Sequence, residues 1–361
     1  PHLWWQYQHD WVSFRYHLFE SNVNAYKFSF TTDYIAGQLL IAGPIAGFIL
    51  LPAALLYKTK TKTERALRFT LIGIYVFFLL SSFRGKVEGN WTSPALVAVI
   101  ILAHQFLNEQ LQWQKWLYRL LPVTLLLVLF GRVVMIADIL PVKAIRQRYH
   151  AWKKWPQEMR EKTKGLPVVF SNSYQRASKY WFYSGQTTYS LNLYKERRNN
   201  FNFWPIEDSL LGKPVYFLDI WDLWRLPDSM KTPIGFVGYK YDSSFISFSK
   251  INITPPTRKI RIKENEAVNL TCTIIAPEHY KRFINGPASV SDTIRIGIYK
   301  AGKWQRDIFT GIVLKEAVEQ KNFSITINPA LSPGKYFLRF AINHQTYPST
   351  HNSEKIELVV D

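Results

Sequence analysis

The chain has 361 residues, 45 Lys and Arg against 26 Asp and Glu, a formal net charge of +19 and a pI near 9.8. Length allows about two or three domains at roughly 100–200 residues each, and a single cysteine excludes an internal disulfide and leaves no CxxC or Cys/His pattern for zinc. Mean hydropathy is close to neutral at −0.11, yet the apolar residues concentrate between Tyr34 and Leu140, so a membrane part is joined to a water-facing part.

The first residue is Pro1, and no basic n-region or small-residue cleavage site follows it. The sequence is therefore expected to be the C-terminal part of a longer protein. Residues 1–33 are rich in aromatics, and Trp4, Trp11, Phe14 and Leu18 fall on one helical face. Trp and Tyr favour the boundary between membrane and water, which predicts an interfacial outer helix or loop. The other reading is the water-exposed end of a preceding span.

Residues 34–140 predict four transmembrane helices, over about 34–57, 67–83, 94–107 and 116–140. Pro44 and Pro52 are expected to kink the first. The third is short for the roughly 20 residues that a crossing needs. Between the second and third lies "RGKVEGNW", residues 84–91, a connection carrying far more hydrogen-bonding groups than a hairpin requires.

Orientation follows the positive-inside bias. The short loop "KTKTKTERALR" holds Lys58, Lys60, Lys62, Arg65 and Arg68 and is assigned to the cytoplasm. Four spans then place residues 84–91 and everything after the fourth span outside, as expected of a multi-pass inner-membrane protein with outer, periplasmic domains. Lys143, Arg146, Arg148, Lys153 and Lys154 argue the other way. The short loop takes precedence, because long domains cross largely regardless of charge.

Residues 141–243 predict an outer α/β domain preceded by a basic linker helix, with Pro156 as a candidate break. The linker is either a solvated connector or a collar drawn to lipid phosphates. "LPVVFSNSYQRASKYWFYSG" reads as strand, cap and helix, with Asn172 or Ser173 capping. "TTYSLNLY" and "KPVYFLDIW" read as further strands. Residues 244–361 predict seven strands, from "FISFSKINI" to "KIELVV", in an antiparallel β-sandwich of immunoglobulin-like kind. Cys272 is expected to be a buried strand residue.

No nucleophile elbow, HExxH, P-loop or dinucleotide fingerprint occurs. Glu207 and Asp208 read as a helix N-terminal charge pair. Charge beside the membrane carries more information, because ionisable groups there are costly. Lys86, with Arg84, suits the phosphate of a lipid substrate. Glu88 suits orienting Lys86 or binding a sugar hydroxyl, and Asn90 offers both donor and acceptor atoms. Trp91 either stacks on a sugar or anchors the third span. Arg132, inside the fourth span, either snorkels outward, pairs with Asp138 or meets a lipid phosphate. His104 is expected to be structural.

At the residue level a resemblance emerges. "PHLWWQYQHDWVSFRYHL", with Trp5, His9, Trp11, Ser13 and Phe14, resembles a segment of bacterial membrane glycosyltransferases of the GT-C superfamily, those related to protein O-mannosyltransferases and the lipid A aminoarabinose transferase. "RGKVEGNWTSPALVAVIILA" resembles their outer loop, and "GLPVVFSNSYQRASKYWFYSG" and "RRNNFNFW" resemble parts of their outer domain. The likeness covers about residues 1–205, and the β-rich remainder lies outside it.

The resemblance implies transfer of a sugar from a polyprenyl-phosphate carrier to a lipid, glycan or protein acceptor on the outer face. It implies that Lys86 matches a basic residue contacting the carrier phosphate, with Glu88 a looser match. It also implies that the catalytic acid, usually an Asp in the first outer loop, lies outside this sequence. No catalytic residue is then expected in this chain, which alone would be inactive. No cofactor and no metal ligand are expected here, a divalent-metal site of related branches lying in the preceding part. Membrane is an expected partner and nucleic acid is not. The competing reading is a non-enzymatic, membrane-anchored module that binds a glycan or a protein. A transporter is disfavoured, because only one charged residue lies deep in a span.

Overall fold

The structure is a computed structural model and describes residues 1–9, 11–15, 26–196, 198–223, 226–286, 292–300, 303–344 and 346–361. Leu18, and Arg197 of the "RRNNFNFW" stretch, lie outside them. The chain forms two compact units, Pro1–Ile145 and Arg146–Asp361.

The first unit is helical: α1 (His2–Gln8), α2 (Val12–Arg15), α3 (Phe28–Ala42), α4 (Gly47–Leu56), α5 (Lys62–Ser82), α6 (Ala95–Glu109), α7 (Leu111–Ile136) and the single turn α8 (Lys143–Ile145). The aromatic N-terminal stretch is not one helix. Trp11 takes a left-handed backbone, φ 54°, which stops α1 and sets α2 off separately. Trp4 and Trp11 remain exposed, and the Trp11 and Phe14 rings meet edge to face at 5.5 Å.

Among the described residues two helices, α5 and α7, are long and apolar enough to cross a membrane. The first expected span is instead a broken pair, α3 and α4, bent by 96° at residues 43–46; counted as one span it makes a third. Pro44 lies in the break and Gly43 takes φ 131°, beyond the reach of an ordinary side chain. A Cβ on Gly47 would collide with the Leu39 carbonyl oxygen, so glycine is what lets the two helices meet at this angle. Thr124 Oγ1 of α7 accepts from the Ala46 N–H at 3.0 Å, satisfying a donor freed by the break. With 15 residues, α6 is a shorter apolar helix.

Chain direction orders the ends of this bundle. Thr61 and Glu64 form a capping box at the start of α5. Lys60 pairs with Glu109 at 2.5 Å, so α6 returns to the end where α5 begins. Arg68 donates to the Leu55 carbonyl there, which brings the end of α4 to the same basic end. α7 starts one residue after α6 and climbs past the break in α3–α4 at Thr124. The apolar core is Leu51, Ala53, Ala54 and Tyr57 against Leu71, Ala95, Val99 and Leu102, with α4 packed chiefly on α6.

The second unit opens with a π-helical turn, Arg146–His150, and α9 (Trp155–Lys162). The expected single basic helix is thus broken at residues 151–154. Pro156 sits in the first turn of α9, where its missing N–H costs nothing, so it starts a helix and does not break one. There follow β1 (Val168–Ser171), α10 (Tyr174–Ser184), β2 (Thr188–Leu191), α11 (Asn200–Phe203), α12 (Ile206–Leu210), β3 (Val215–Asp219), β4 (Asp228–Thr232) and β5 (Gly235–Asp242). Their sheet runs β2-β1-β3-β5-β4, with β1 parallel to β2 and β3, and β5 antiparallel to β3 and β4.

The C-terminal part holds β6 (Asn252–Thr254), β7 (Lys259–Ile262), β8 (Val268–Ile275), α13 (Glu278–Ile284), β9 (Thr293–Lys300), β10 (Lys303–Val313), α14 (Leu314–Gln320), β11 (Asn322–Ile327), β12 (Gly334–Asn343), β13 (Thr350–His351) and β14 (Ile356–Val360). One sheet runs β10-β9-β12-β14-β7 with β13 beside β12, and a second runs β11-β8-β6. Pairing is not wholly antiparallel, because β7 joins β14 in parallel. "FISFSKINI" is a strand only from Asn252; its Phe245, Phe248 and Ile251 are buried as core residues without a strand to carry them. Cys272 is buried in β8, as expected, and burial pushes its thiol up to about 12. One apolar core runs from Trp155 and Phe170 through Phe248 to Ile296, Phe323 and Leu338.

Candidate functional site

Apart from Arg132, the sequence-predicted residues lie where α5 ends and α6 begins, opposite the basic stretch 58–68, whose Lys62, Arg65 and Arg68 belong to the first turns of α5 and not to a loop. Arg84 and Gly85 turn the chain after α5, and Gly89–Thr92 close it as a 3₁₀ turn. Val87 is buried, which anchors the connection and leaves Lys86 and Glu88 on either side of it facing out. The Lys86 ammonium and a Glu88 carboxylate oxygen are 3.3 Å apart, with 59% and 56% of their side chains exposed. Glu88 thus does meet Lys86. An exposed pair of this kind contributes under about 1 kcal/mol, so it is not what holds the hairpin in shape.

The shape comes from beneath. Thr92 donates to the Gln38 side-chain carbonyl of α3 and also to the Gly89 carbonyl at 3.0 Å. A Cβ on Gly89 would sit 2.8 Å from Ile41 Cδ1, so the turn approaches α3 more closely than a side chain permits. Trp91 is half-buried and packs on Phe78 of α5, ring centroids 5.8 Å apart. Asn90 is exposed, and its backbone carbonyl accepts from the Ser93 hydroxyl at 2.7 Å. On the same rim, Thr31 at the start of α3 meets Ser82 at 3.0 Å.

Arg132 is exposed on α7, four residues before its end, about 6 Å along the axis. Because α7 rises from the basic end, Arg132 belongs to the same end of the bundle as residues 84–91. Chain topology therefore gathers Arg84, Lys86, Glu88, Asn90, Trp91 and Arg132 at one end. His104 lies towards the other and meets Asn108 at 3.2 Å.

Sequence reasoning missed Gln38 and Thr92. Gln38 is buried in an apolar helix, its carbonyl taken by Thr92 and its amide nitrogen without a hydrogen-bond partner among the described residues. A glutamine inside "YIAGQLLIAG" was the available signal, since a buried amide needs partners. Among the described residues no group of three or more His, Cys, Asp and Glu is arranged to hold a metal ion.

Glu207 and Asp208 do sit in the first turn of a helix, α12, but they part company. Glu207 is fully buried and accepts from Ser249, while Asp208 pairs with Lys250 and, at 3.1 Å, with His279. Both join α12 to the β-rich part, which is structural work.

No protein-family model matches the chain, and no curated protein matches it at a significant level.

Proposed function

We propose that this chain is the C-terminal part of a membrane glycosyltransferase of the GT-C kind, moving a sugar from a polyprenyl-phosphate carrier to an acceptor on the outer face. One observation carries the reading: Lys86, paired with Glu88 and exposed, stands on a hairpin pinned to α3, at the bundle end that also holds Arg84 and Arg132. Displacing a polyprenyl phosphate from an anomeric carbon builds negative charge on the leaving group. Fixed cations at that position stabilise the transition state more than the ground state. Glu88 keeps the Lys86 ammonium near the hairpin in the absence of donor, and Asn90 and Trp91 offer an amide and an aromatic edge to the sugar. A base on the opposite face of the sugar activates the acceptor hydroxyl and comes from outside this sequence.

In this reading α3–α4, α5, α6 and α7 are the four membrane-crossing elements, the short α4 and α6 being shielded by each other. The basic stretch 58–68 is cytoplasmic and the second unit lies outside, on the periplasmic side. The six- and three-stranded sheets form the two layers of a sandwich. The test is donor consumption. The complete protein in lipid should release polyprenyl phosphate from a polyprenyl-phosphate sugar when acceptor-containing membranes are present. Binding of glycan with no release of carrier phosphate would replace the enzyme by a membrane-anchored binding module.

A further inference from the structure

The parallel strands β1, β2 and β3 end on a crevice of about 600 Å³ within the second unit. The chain leaves β1 through α10 and reaches β2 on one side of it, whereas β3 lies on the other side. The loops after β1 and β3 therefore diverge. In open α/β sheets that reversal, at the carboxyl ends of the strands, is where ligands bind.

Each strand end contributes a different chemistry. After β1, Asn172 takes a left-handed backbone, φ 44°, and Ser173 caps α10 by accepting from the Arg176 N–H. After β2 come the side-chain amides of Asn192 and Asn199. After β3 comes Trp221, 69% exposed although it lines the crevice. The Arg176 guanidinium lies 5.2 Å from the Trp221 ring centroid, and the Lys179 ammonium lies 5.6 Å from that of Trp152. Partial burial lowers the Arg176 pKa, while the Asp219 charge opposes that shift. The Asp219 carboxylate is engaged by the backbone N–H groups of Trp221, at 2.8 Å, and Asp222. Among the described residues Glu196 is the one acid lining the crevice, against the two cations Arg176 and Lys179.

We propose that this crevice binds a sugar carrying a negative charge, a phosphate or a carboxylate. The exposed indole of Trp221 offers an apolar face to the C–H face of a sugar ring, and the Asn192 and Asn199 side chains, fixed by the Asn192 amide donating to Asn202 at 3.2 Å and the Asn199 oxygen accepting from the Phe201 N–H at 3.0 Å, line the crevice with amide polarity suited to hydroxyls. Arg176 and Lys179 take the charge, Arg176 from the first turn of α10, where the helix dipole adds to it, and Lys179 from the middle of the helix. Amides without cations would suit a neutral glycan, and cations without the indole and amides would suit a bare ion. The site is independent of the transferase reading and stands if that reading fails.

The experiment is saturation-transfer NMR on the full chain in nanodiscs of zwitterionic lipid. The probes are glucose 1-phosphate, glucuronate, glucose and inorganic phosphate. At least one of the two anionic sugars should bind at least about tenfold more tightly than glucose and than inorganic phosphate; which of them does so tells phosphate from carboxylate. Trp221→Ala and Lys179→Gln, both at exposed positions, should each weaken that binding severalfold, and Arg176→Gln at least about tenfold. If Arg176→Gln loses its circular dichroism, the other two variants decide. The proposal is overturned if no anionic sugar binds, if glucose or inorganic phosphate binds as well, or if binding survives unchanged in Trp221→Ala and Lys179→Gln.

Discussion

Replacing Asp307 by alanine should destabilise the second unit by about 3–5 kcal/mol. The Tyr194 hydroxyl lies 2.7 Å from both Asp307 carboxylate oxygens, Trp304 Nε1 donates at 2.9 Å and Arg295 Nη1 at 3.2 Å. The Asp307 and Arg295 side chains are only 11% and 15% exposed. Hydrogen bonds to a charged acceptor are worth about 1.5–3 kcal/mol each, and removing one member of a buried pair strands the other. Trp304 is exposed and adds little, so Tyr194 and Arg295 carry most of the effect. Burial and, to a lesser degree, the hydrogen bond to and charge of Asp307 hold the Tyr194 hydroxyl above its usual pKa, so it stays a donor. Tyr194 also donates its N–H to the Ser349 carbonyl, so the cluster fastens the loop after β2 to the C-terminal sheets. Urea unfolding of the chain in detergent, followed by the β-strand dichroism, reads the loss. A double-mutant cycle with Tyr194→Phe should give a coupling of at least about 1 kcal/mol. A loss under about 1 kcal/mol in Asp307→Ala would refute the idea that this carboxylate fastens the loop after β2 to the C-terminal sheets.

Two further outcomes follow from buried groups. His351 is fully buried, and burial, with the charges of Arg339 and Arg198, holds its pKa well below the ordinary value. The fold keeps it neutral, whereas the unfolded chain takes up a proton below about pH 6.5. Stability should therefore fall as pH drops from about 6.5 towards the folded-state pKa, with a contribution of up to about 1.4 kcal/mol per pH unit. Denaturant midpoints across this range should be flatter in His351→Gln; equal slopes would contradict the assignment. Gly47→Ala should force α3 and α4 apart, because the clash is with backbone and not with a yielding side chain. A cost of about 1–3 kcal/mol or more is expected, seen as a lower melting temperature in detergent; an unchanged temperature would count against the bend.

The sequence was most legible where one periodicity ran unopposed. The apolar runs that became α5 and α7 were visible, as were the alternating strands β8, β9, β12 and β14. The kink expected at Pro44 falls in the break between α3 and α4, but its size, a 96° bend, was not legible, since hydropathy averages over Gly43, Pro44 and Gly47. β10 was missed because its residues are largely exposed or half-buried and it lies at a sheet edge, so no alternation marks it. The β4–β5 hairpin hid for the same reason, β4 being an exposed edge strand. "FISFSKINI" misled in the opposite sense, because its apolar residues fill the core from a loop. At the hairpin, the charged residues were legible from their cost near a membrane, but Gln38 and Thr92 were not, because they act through a contact 54 residues apart in the chain. The crevice residues were invisible for a related reason: Asn172, Asn192 and Trp221 come together only through the β2-β1-β3 strand order.

The central claim is that Lys86 holds the leaving phosphate, and its most direct test is the turnover of Lys86→Ala and Lys86→Arg in the complete protein with a polyprenyl-phosphate sugar. Loss of a fixed cation on a developing charge should lower kcat by about 10²–10³-fold in the alanine variant, with arginine restoring a large part of it. Full turnover by Lys86→Ala would contradict the claim.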